Sequence, residues 1–378
     1  MTINEIFKNI SYRLAGRVIH LAPKRRAKGA ILISYFTYPF LTNKPLTGHT
    51  NYWEVRRMAE EFLDRGYEVD VIDTANVSFV PKKKYDICID AYGNLERFAP
   101  LLEKDCIKVF LATTSDWLFQ NTASYKRSYD LLQRRGVVLP PERLLPPSRT
   151  LTAADMILLM GNDVTASTYA YAKKPISPLS VSAVREYPSP VGKDFDAYKK
   201  NFVWLGGAGA VHKGADLTLE AFAREADLHV SMCGKYLYPE FEAVYWKELH
   251  ESDNIHSIGH LDLGGEVFEK IRSQAIFLIF PSCAEGQSGG VVAAMHAGLI
   301  PIISKECGVS VDDFGFVLKE NTIEEIQKTI RYVSSLPAEE LASRARRAWE
   351  YAQANHTREV FTMQFKNFVN LLESKNTK

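Results

Sequence analysis

One carboxylate stands at the mouth of a loop built almost wholly of small residues. In "PSCAEGQSGGVVAAMHAGLIPIIS", residues 281–304, Glu285 follows an apolar run, and Gly286, Gln287, Ser288, Gly289 and Gly290 precede an apolar helical pattern. A carboxylate there offers a fixed acceptor for sugar hydroxyls, and the free amides of a helix start favour an anion. A glutamate that only complements a helix dipole would also fit, but that role does not require four small neighbours. Upstream, "WLGGAGAVHKGADLTLEAF", residues 204–222, reads as strand, glycine-rich turn and helix, with Lys213 at the mouth. Gly207 and Gly209 would let the backbone approach a phosphate, and Lys213 would pair with a diphosphate. A tight strand–helix turn with a surface lysine is the plainer alternative. The third glycine of the dinucleotide fingerprint is missing, and no P-loop GK[ST] exists.

Two further residues could move protons. His49, in the loop "TGHTNYW", could donate to a phosphate or accept from an acceptor hydroxyl when neutral, though lone loop histidines are more often structural. Asp116, in "LATTSDWLFQ", is either a base near an acceptor or the N-cap of a helix beginning "WLFQNTAS". Tyr52, Trp53 and Trp117 could stack on sugar faces, but aromatics at element boundaries more often belong to a core.

These loops need strands to hold them. "AILISYF" is a continuous apolar run of the kind a buried parallel strand shows. "YEVDVID", "KYDICIDAY", "CIKVFLATT" and "ADMILLMGND" follow as strands, alternating with helices such as "WEVRRMAEEFLDRG" and "SYKRSYDLLQRRG". After a stretch rich in Pro, Gly and charge, the pattern restarts with "FVWLGG", "LHVSMCG", "NIHSIGHL", "AIFLIFPS" and "IPIIS". The expectation is α/β: two doubly wound, Rossmann-like parallel-sheet domains facing an interdomain cleft, with ligands at the C-terminal ends of the strands. The boundaries read as a basic amphipathic segment over 1–28, an N-terminal domain over 29–187, a linker over 188–201, a C-terminal domain over 202–355, and a C-terminal helix over 356–378 whose docking is open.

At 378 residues, with 46% hydrophobic and 24% charged side chains and a net charge of +1, the chain suits two soluble domains and no nucleic-acid partner. Five cysteines without CxxC or histidine-rich spacing fit buried thiols in a reducing cytosol and build no zinc site. No apolar run reaches the ~20 residues of a membrane span. Residues 1–28 set seven Lys and Arg against Glu5 with apolar residues at roughly helical spacing, so they either touch an anionic membrane surface or dock as a helix with solvated charges. The expected location is therefore cytoplasmic, with peripheral membrane contact through that segment.

The Glu285 loop resembles the donor-binding segment of retaining GT-B glycosyltransferases of the family 4, glycogen-synthase-like type. The Lys213 turn resembles the first strand–loop–helix of their C-terminal domain, and "TGHTNYWEVRRMAEEFLDRGYEVDVID" resembles their opening loop and helix. The resemblance implies a GT-B fold and a retaining, metal-independent transfer of a sugar from a nucleotide-sugar donor to a glycan or lipid-linked acceptor, as in cell-surface polysaccharide synthesis. Glu285 would hold donor-sugar hydroxyls, the amides of Gln287, Ser288, Gly289 and Gly290 would face the sugar and diphosphate, and Lys213 would neutralise the diphosphate in place of a metal. Gly48 would let the N-terminal loop reach the phosphates, and Cys233, Gly234 and Lys235 would lie near the base. Acceptor contacts would come from residues 39–51 and 121–148.

Three positions depart from that pattern. A second glutamate is replaced by Ala293, a basic residue in the glycine turn by Ala208, and a histidine after an N-domain strand by Ser115 and Asp116. Losing a carboxylate–ribose contact would cost ~1–3 kcal/mol of binding. Two rivals therefore stand beside the transferase: a nucleotide-sugar epimerase on the same fold, and a non-catalytic chain that binds sugar or a partner.

Overall fold

The computed structural model describes residues 16–43, 46, 49–234 and 239–376. The expectations for residues 1–15, Gly48 and Lys235 lie outside the described residues. Two sheets form the frame. The first is seven-stranded, in the order β1-β3-β2-β4-β5-β6-β7. It comprises β1 (Val18–Leu21), β2 (Ala30–Tyr35), β3 (Glu68–Asp73), β4 (Ile87–Asp90), β5 (Ile107–Ala112), β6 (Met156–Leu159) and β7 (Ile176–Pro178). The second is six-stranded, in the order β10-β9-β8-β11-β12-β13. Its strands are β8 (Asn201–Gly206), β9 (His229–Gly234), β10 (Ile255–Gly259), β11 (Phe277–Phe280), β12 (Ile300–Ser304) and β13 (Phe316–Leu318). Neighbouring strands run parallel except at β1. Every residue of β2, β4, β6, β11 and β12 is buried, as strands covered on both faces by helices must be.

The edge strand β1 corrects the reading of residues 1–28 as a helix for the part that is described. Val18 to Leu21 pair antiparallel with β3, and His20 Nδ1 meets the Asp70 carboxylate at 2.7 Å. Adjacent β-branched Val18 and Ile19 favour an extended edge over a helix.

Two helices of the first domain matter for the site. Helix α1 (Thr50–Asp64) starts at His49, whose Nδ1 accepts the Asn51 amide at 3.3 Å. Helix α2 (Trp117–Arg135) starts at Asp116, whose carboxylate accepts the Leu118 amide at 3.0 Å, and ends at Gly136 with φ +67°. The helix expected over "SYKRSYDLLQRRG" starts earlier, at Trp117, as the capping alternative for Asp116 has it, so most of 121–136 within the expected acceptor segment 121–148 is helical. Although it leaves the first sheet, α2 packs on the second domain. Leu131 joins that domain's core, Arg134 Nη2 donates to the wholly buried Asp216 at 2.5 Å, and Arg127 Nη2 donates to the Pro281 carbonyl at 2.5 Å.

In the second domain, α3 (Ala215–Phe222) follows β8 and α4 (Gly289–His296) follows β11. Trp204 is wholly buried on β8. A Cβ on Gly206 or Gly234 would stand 2.1 or 2.5 Å from its indole, so both positions exclude a side chain. The last helix, α5 (Arg358–Asn376), returns to the first domain and packs on α1. Phe361 meets Trp53 at 5.7 Å and Phe365 meets Phe62 at 5.8 Å between centroids, and Arg65 donates to Glu373 at 2.6 Å. Trp53 is thereby a packing residue. All five cysteines are buried free thiols.

Candidate functional site

The turn after β8 and the loop after β11 meet at Gly214. Its φ is +71°, and a Cβ there would lie 2.5 Å from the Pro281 carbonyl oxygen, so only glycine permits the approach. That approach brings Lys213 to Glu285. Lys213 Nζ donates to Glu285 Oε1 at 2.5 Å, and Ser282 Oγ donates to the same oxygen at 3.0 Å. Arg143 Nη2 donates to Glu285 Oε2 at 3.5 Å. Burial alone would raise the Glu285 pKa; Lys213 and Arg143 outweigh it and hold the carboxyl down at about 2. Two residues far apart in the chain and singled out from the sequence are thus joined.

His212, beside Lys213, is locked neutral. Its Nε2 faces the Ala284 carbonyl at 2.5 Å, which only accepts, so Nε2 carries the proton and Nδ1 accepts from Ser124 Oγ at 2.8 Å. Burial lowers its pKa to about 3. The imidazole thereby ties α2 to both loops.

The first domain reaches into the same place through residues 142 and 143. The buried Glu142 carboxylate accepts the Val211 amide at 2.8 Å. Burial raises its pKa in spite of the backbone amides of Val211, Ala210 and His212. Arg143 sits at φ +57°, a left-handed conformation uncommon for a side-chain-bearing residue, and its carbonyl accepts from Gln120 Nε2 at 2.5 Å. A Cβ on Gly209 would lie 2.7 Å from Arg143 Cδ. Sequence reading missed Glu142, Arg143 and Ser124; only the unusual pairing of a charged residue with the glycine turn, visible in three dimensions, marks them.

The other expected residues separate. His49 is exposed by area at the rim, yet protein crowds its ring: burial first, then the charges of Arg143 and Lys213, lower its pKa. It faces the cluster across the cleft and caps α1 at the same time. Asp116 has both oxygens engaged, one by the Leu118 amide and the other by Tyr171 Oη at 3.0 Å, so the helix-capping reading holds. Gly286 packs on the first domain: a Cβ would meet the Thr113 carbonyl at 2.3 Å, and its own carbonyl accepts from Thr165 Oγ1 at 3.0 Å. Gln287 Oε1 accepts the Val181 amide at 2.6 Å. The Ser288 amide is not free for an anion, because it donates to the Cys307 carbonyl at 3.0 Å. Gly290 abuts the Leu205 carbonyl and Gly234 the Trp204 ring, so each is explained by packing. Gly207 and Gly289 have open space where a side chain would stand. Ala293 is buried in α4 and offers no carboxylate.

Two openings flank the cluster. A groove of about 820 Å³ runs between α2 and the ends of β12 and β13, past Phe119, Lys126, Tyr171, Glu306 and Lys319. A pocket of about 60 Å³ at the ends of β4 and β5 is lined by Tyr92, Trp117, Ser148 and Tyr169. Neither is lined by Lys213 or Glu285, which face each other between the two strand-end loops.

The fold has known counterparts. The chain is similar to WaaG, a glycosyltransferase involved in lipopolysaccharide biosynthesis, with TM-score 0.53 and 15% identity over 89% of this chain and 98% of that one. It is similar to Anabaena Alr3699/HepE in complex with UDP and glucose, with TM-score 0.54 and 13% identity over 92% of this chain and 100% of that one. It is also similar to sucrose-phosphate synthase from Thermosynechococcus elongatus, with TM-score 0.61 and 13% identity over 93% and 100%. The fold is GT-B. Residues 194–353 match the family model described as glycosyl transferases group 1. No curated protein matches the sequence significantly.

That matched stretch holds Lys213 and Glu285, and in this GT-B frame both lie at the C-terminal ends of strands, where open parallel sheets bind ligands. Among the described residues no helix is long and apolar enough to cross a membrane.

Proposed function

We propose that this GT-B chain is a glycosyltransferase that moves a sugar, with retention, from a nucleoside-diphosphate sugar to a hydroxyl of a glycan or lipid-linked acceptor. The observation that carries the reading is the buried Lys213–Glu285 pair at the meeting of two strand-end loops. Glu285, ionised far below neutral pH, accepts from donor-sugar hydroxyls. Lys213 lies beside the departing diphosphate and supplies, as a fixed side-chain charge, the compensation a divalent cation would otherwise give. The bond from the anomeric carbon to the diphosphate oxygen breaks, and its electron pair leaves with the diphosphate. The acceptor oxygen forms the new bond on the same face, and its proton passes to the departing phosphate oxygen. The pocket at the ends of β4 and β5 is the acceptor side. A UDP complex is what the HepE structure holds, which favours a nucleotide donor here. The buried reduced thiols suit cytoplasmic chemistry, and the exposed Arg17, Lys24, Arg25, Arg26 and Lys28 suit an anionic membrane face; equal pelleting with liposomes of chains with and without residues 1–28 would remove the membrane part.

One observation favours a second reading, a chain that binds without turnover: the Glu142 carboxylate already occupies amides of the glycine turn. A thermal-shift panel of UDP-, GDP-, ADP- and dTDP-sugars separates them. A ligand at ~100 times its dissociation constant adds ~2.7 kcal/mol of stability. The transferase reading predicts a shift with one nucleotide class, lost in Lys213→Ala, and release of the nucleoside diphosphate from that donor. A shift without release leaves the binding reading, and no shift at all defeats both.

A further inference from the structure

We infer that Arg143, supplied by the first domain, is the second cationic ligand of the donor diphosphate, so that anion binding is completed only when the two domains are together. The inference rests on the nucleotide-sugar reading of the site and adds to it a residue that no strand-end motif of the second domain contains.

Four observations carry it. First, among the described residues the one side-chain hydrogen bond of Arg143 runs from Nη2 to Glu285 Oε2 at 3.5 Å, a long contact, and its buried Nε has no partner. A guanidinium has five donors in a planar fork suited to a bidentate anion; here nearly all of them are uncommitted. Second, the backbone is made to hold the side chain there. Arg143 has φ +57°, its carbonyl is fixed by Gln120, and the preceding Glu142 is pinned to the Val211 amide. A left-handed arginine is strained and persists only where its surroundings over-determine it. Third, Gly209 makes room: its own φ is +97°, and any side chain would strike Arg143 Cδ at 2.7 Å. Fourth, the turn itself carries no charge beside Lys213: the exposed neighbour is Ala208, and His212 is neutral. Arg143 is the cation that stands where the turn lacks one, and its charge and that of Lys213 act together on His49.

Because Arg143 belongs to the segment between α2 and β6 while Lys213 belongs to the second domain, one diphosphate bridges the two halves of the cleft. Glu142 is a positioning residue in this arrangement, and Arg143 is the one that touches the anion.

The test is calorimetric titration of the full chain with UDP, GDP, ADP and dTDP, and with the matching nucleosides. Wild type, Arg143→Ala, Arg143→Lys and the double variant Arg143→Ala/Ala208→Arg are compared, with thermal midpoints confirming that each is folded. A charge-assisted hydrogen bond is worth ~1.5–3 kcal/mol, so the dissociation constant of the bound diphosphate rises about tenfold or more in Arg143→Ala. Nucleoside binding is unchanged, Arg143→Lys is intermediate, and Ala208→Arg, placed on the exposed turn, restores part of the loss. Equal or tighter diphosphate binding by Arg143→Ala overturns the inference and leaves the nucleotide-sugar reading standing; tighter binding would mean that Arg143 obstructs the site. If wild type binds none of the four diphosphates, the functional reading falls and the inference with it.

Discussion

Lys213 Nζ and Glu285 Oε1 lie 2.5 Å apart with their side chains 10% and 7% exposed, although 72 positions separate them in the chain. The pair joins the β8 turn to the β11 loop, and under the proposed function it is also the chemistry of the donor site. Breaking a buried ion pair by removing one partner costs about 3–5 kcal/mol, and without Lys213 the Glu285 carboxylate keeps only the long Arg143 contact at 3.5 Å as an ion pair. Lys213→Met is therefore expected to lower the urea-unfolding free energy by that amount, and Lys213→Met/Glu285→Leu to recover most of it. If the double variant is as unstable as the single one, the pair is not what stabilises this junction.

Stability against pH reports on a second buried carboxyl. Glu54 on α1 accepts the Ser182 amide at 2.8 Å and the Ser182 hydroxyl at 2.9 Å, while its other oxygen has no partner. Burial raises its pKa to about 7, against the lowering effect of Ser182. Between about 4.5 and 7 the folded chain keeps a proton that the unfolded chain has released, so Glu54's contribution falls as pH rises through that window. Glu54→Gln keeps an accepting oxygen and removes the titration. Relative to wild type it should gain about 3 kcal/mol at pH 8 and nothing at pH 4. A constant difference between the two proteins across that range would contradict the assignment.

The C-terminal helix is expected to behave as part of the first domain. Phe365 is 1% exposed and lies among Val55, Met58 and Phe62. Phe365→Ala removes a fully buried ring and should cost about 3–5 kcal/mol. A urea midpoint unchanged from wild type would show that α5 does not hold to α1.

Local patterns in the sequence made the strands legible, because a parallel strand covered on both faces must be largely apolar, as Ala30–Tyr35 is apart from Ser34 and Ile300–Ser304 is apart from Ser304. Glu285 and Lys213 were legible for a related reason: each interrupts a run of small residues just past such a strand. Residues fixed by distant partners stayed hidden. Arg143 meets Glu285 from 142 positions away, and Ser124 meets His212 from 88; no local period encodes either contact. Several glycines were legible as special but not in their cause, since Gly234 yields to Trp204 and Gly286 to Thr113 rather than to a ligand. The start of α2 depended on a single side chain, Asp116, whose two roles only the hydrogen bonds to Leu118 and Tyr171 could separate. The strand Val18–Leu21 was masked by its charged surroundings and revealed by its pairing with β3.

The central claim is that a nucleoside diphosphate binds through its phosphates at Lys213. Phosphorus-31 NMR of the nucleoside diphosphate that most stabilises the protein, titrated with wild type and with Lys213→Ala, tests it most directly. The account predicts that both phosphorus resonances move with wild type and return to their free positions with Lys213→Ala at the same protein concentration. Resonances that move equally with both proteins, or that do not move with wild type, would contradict it.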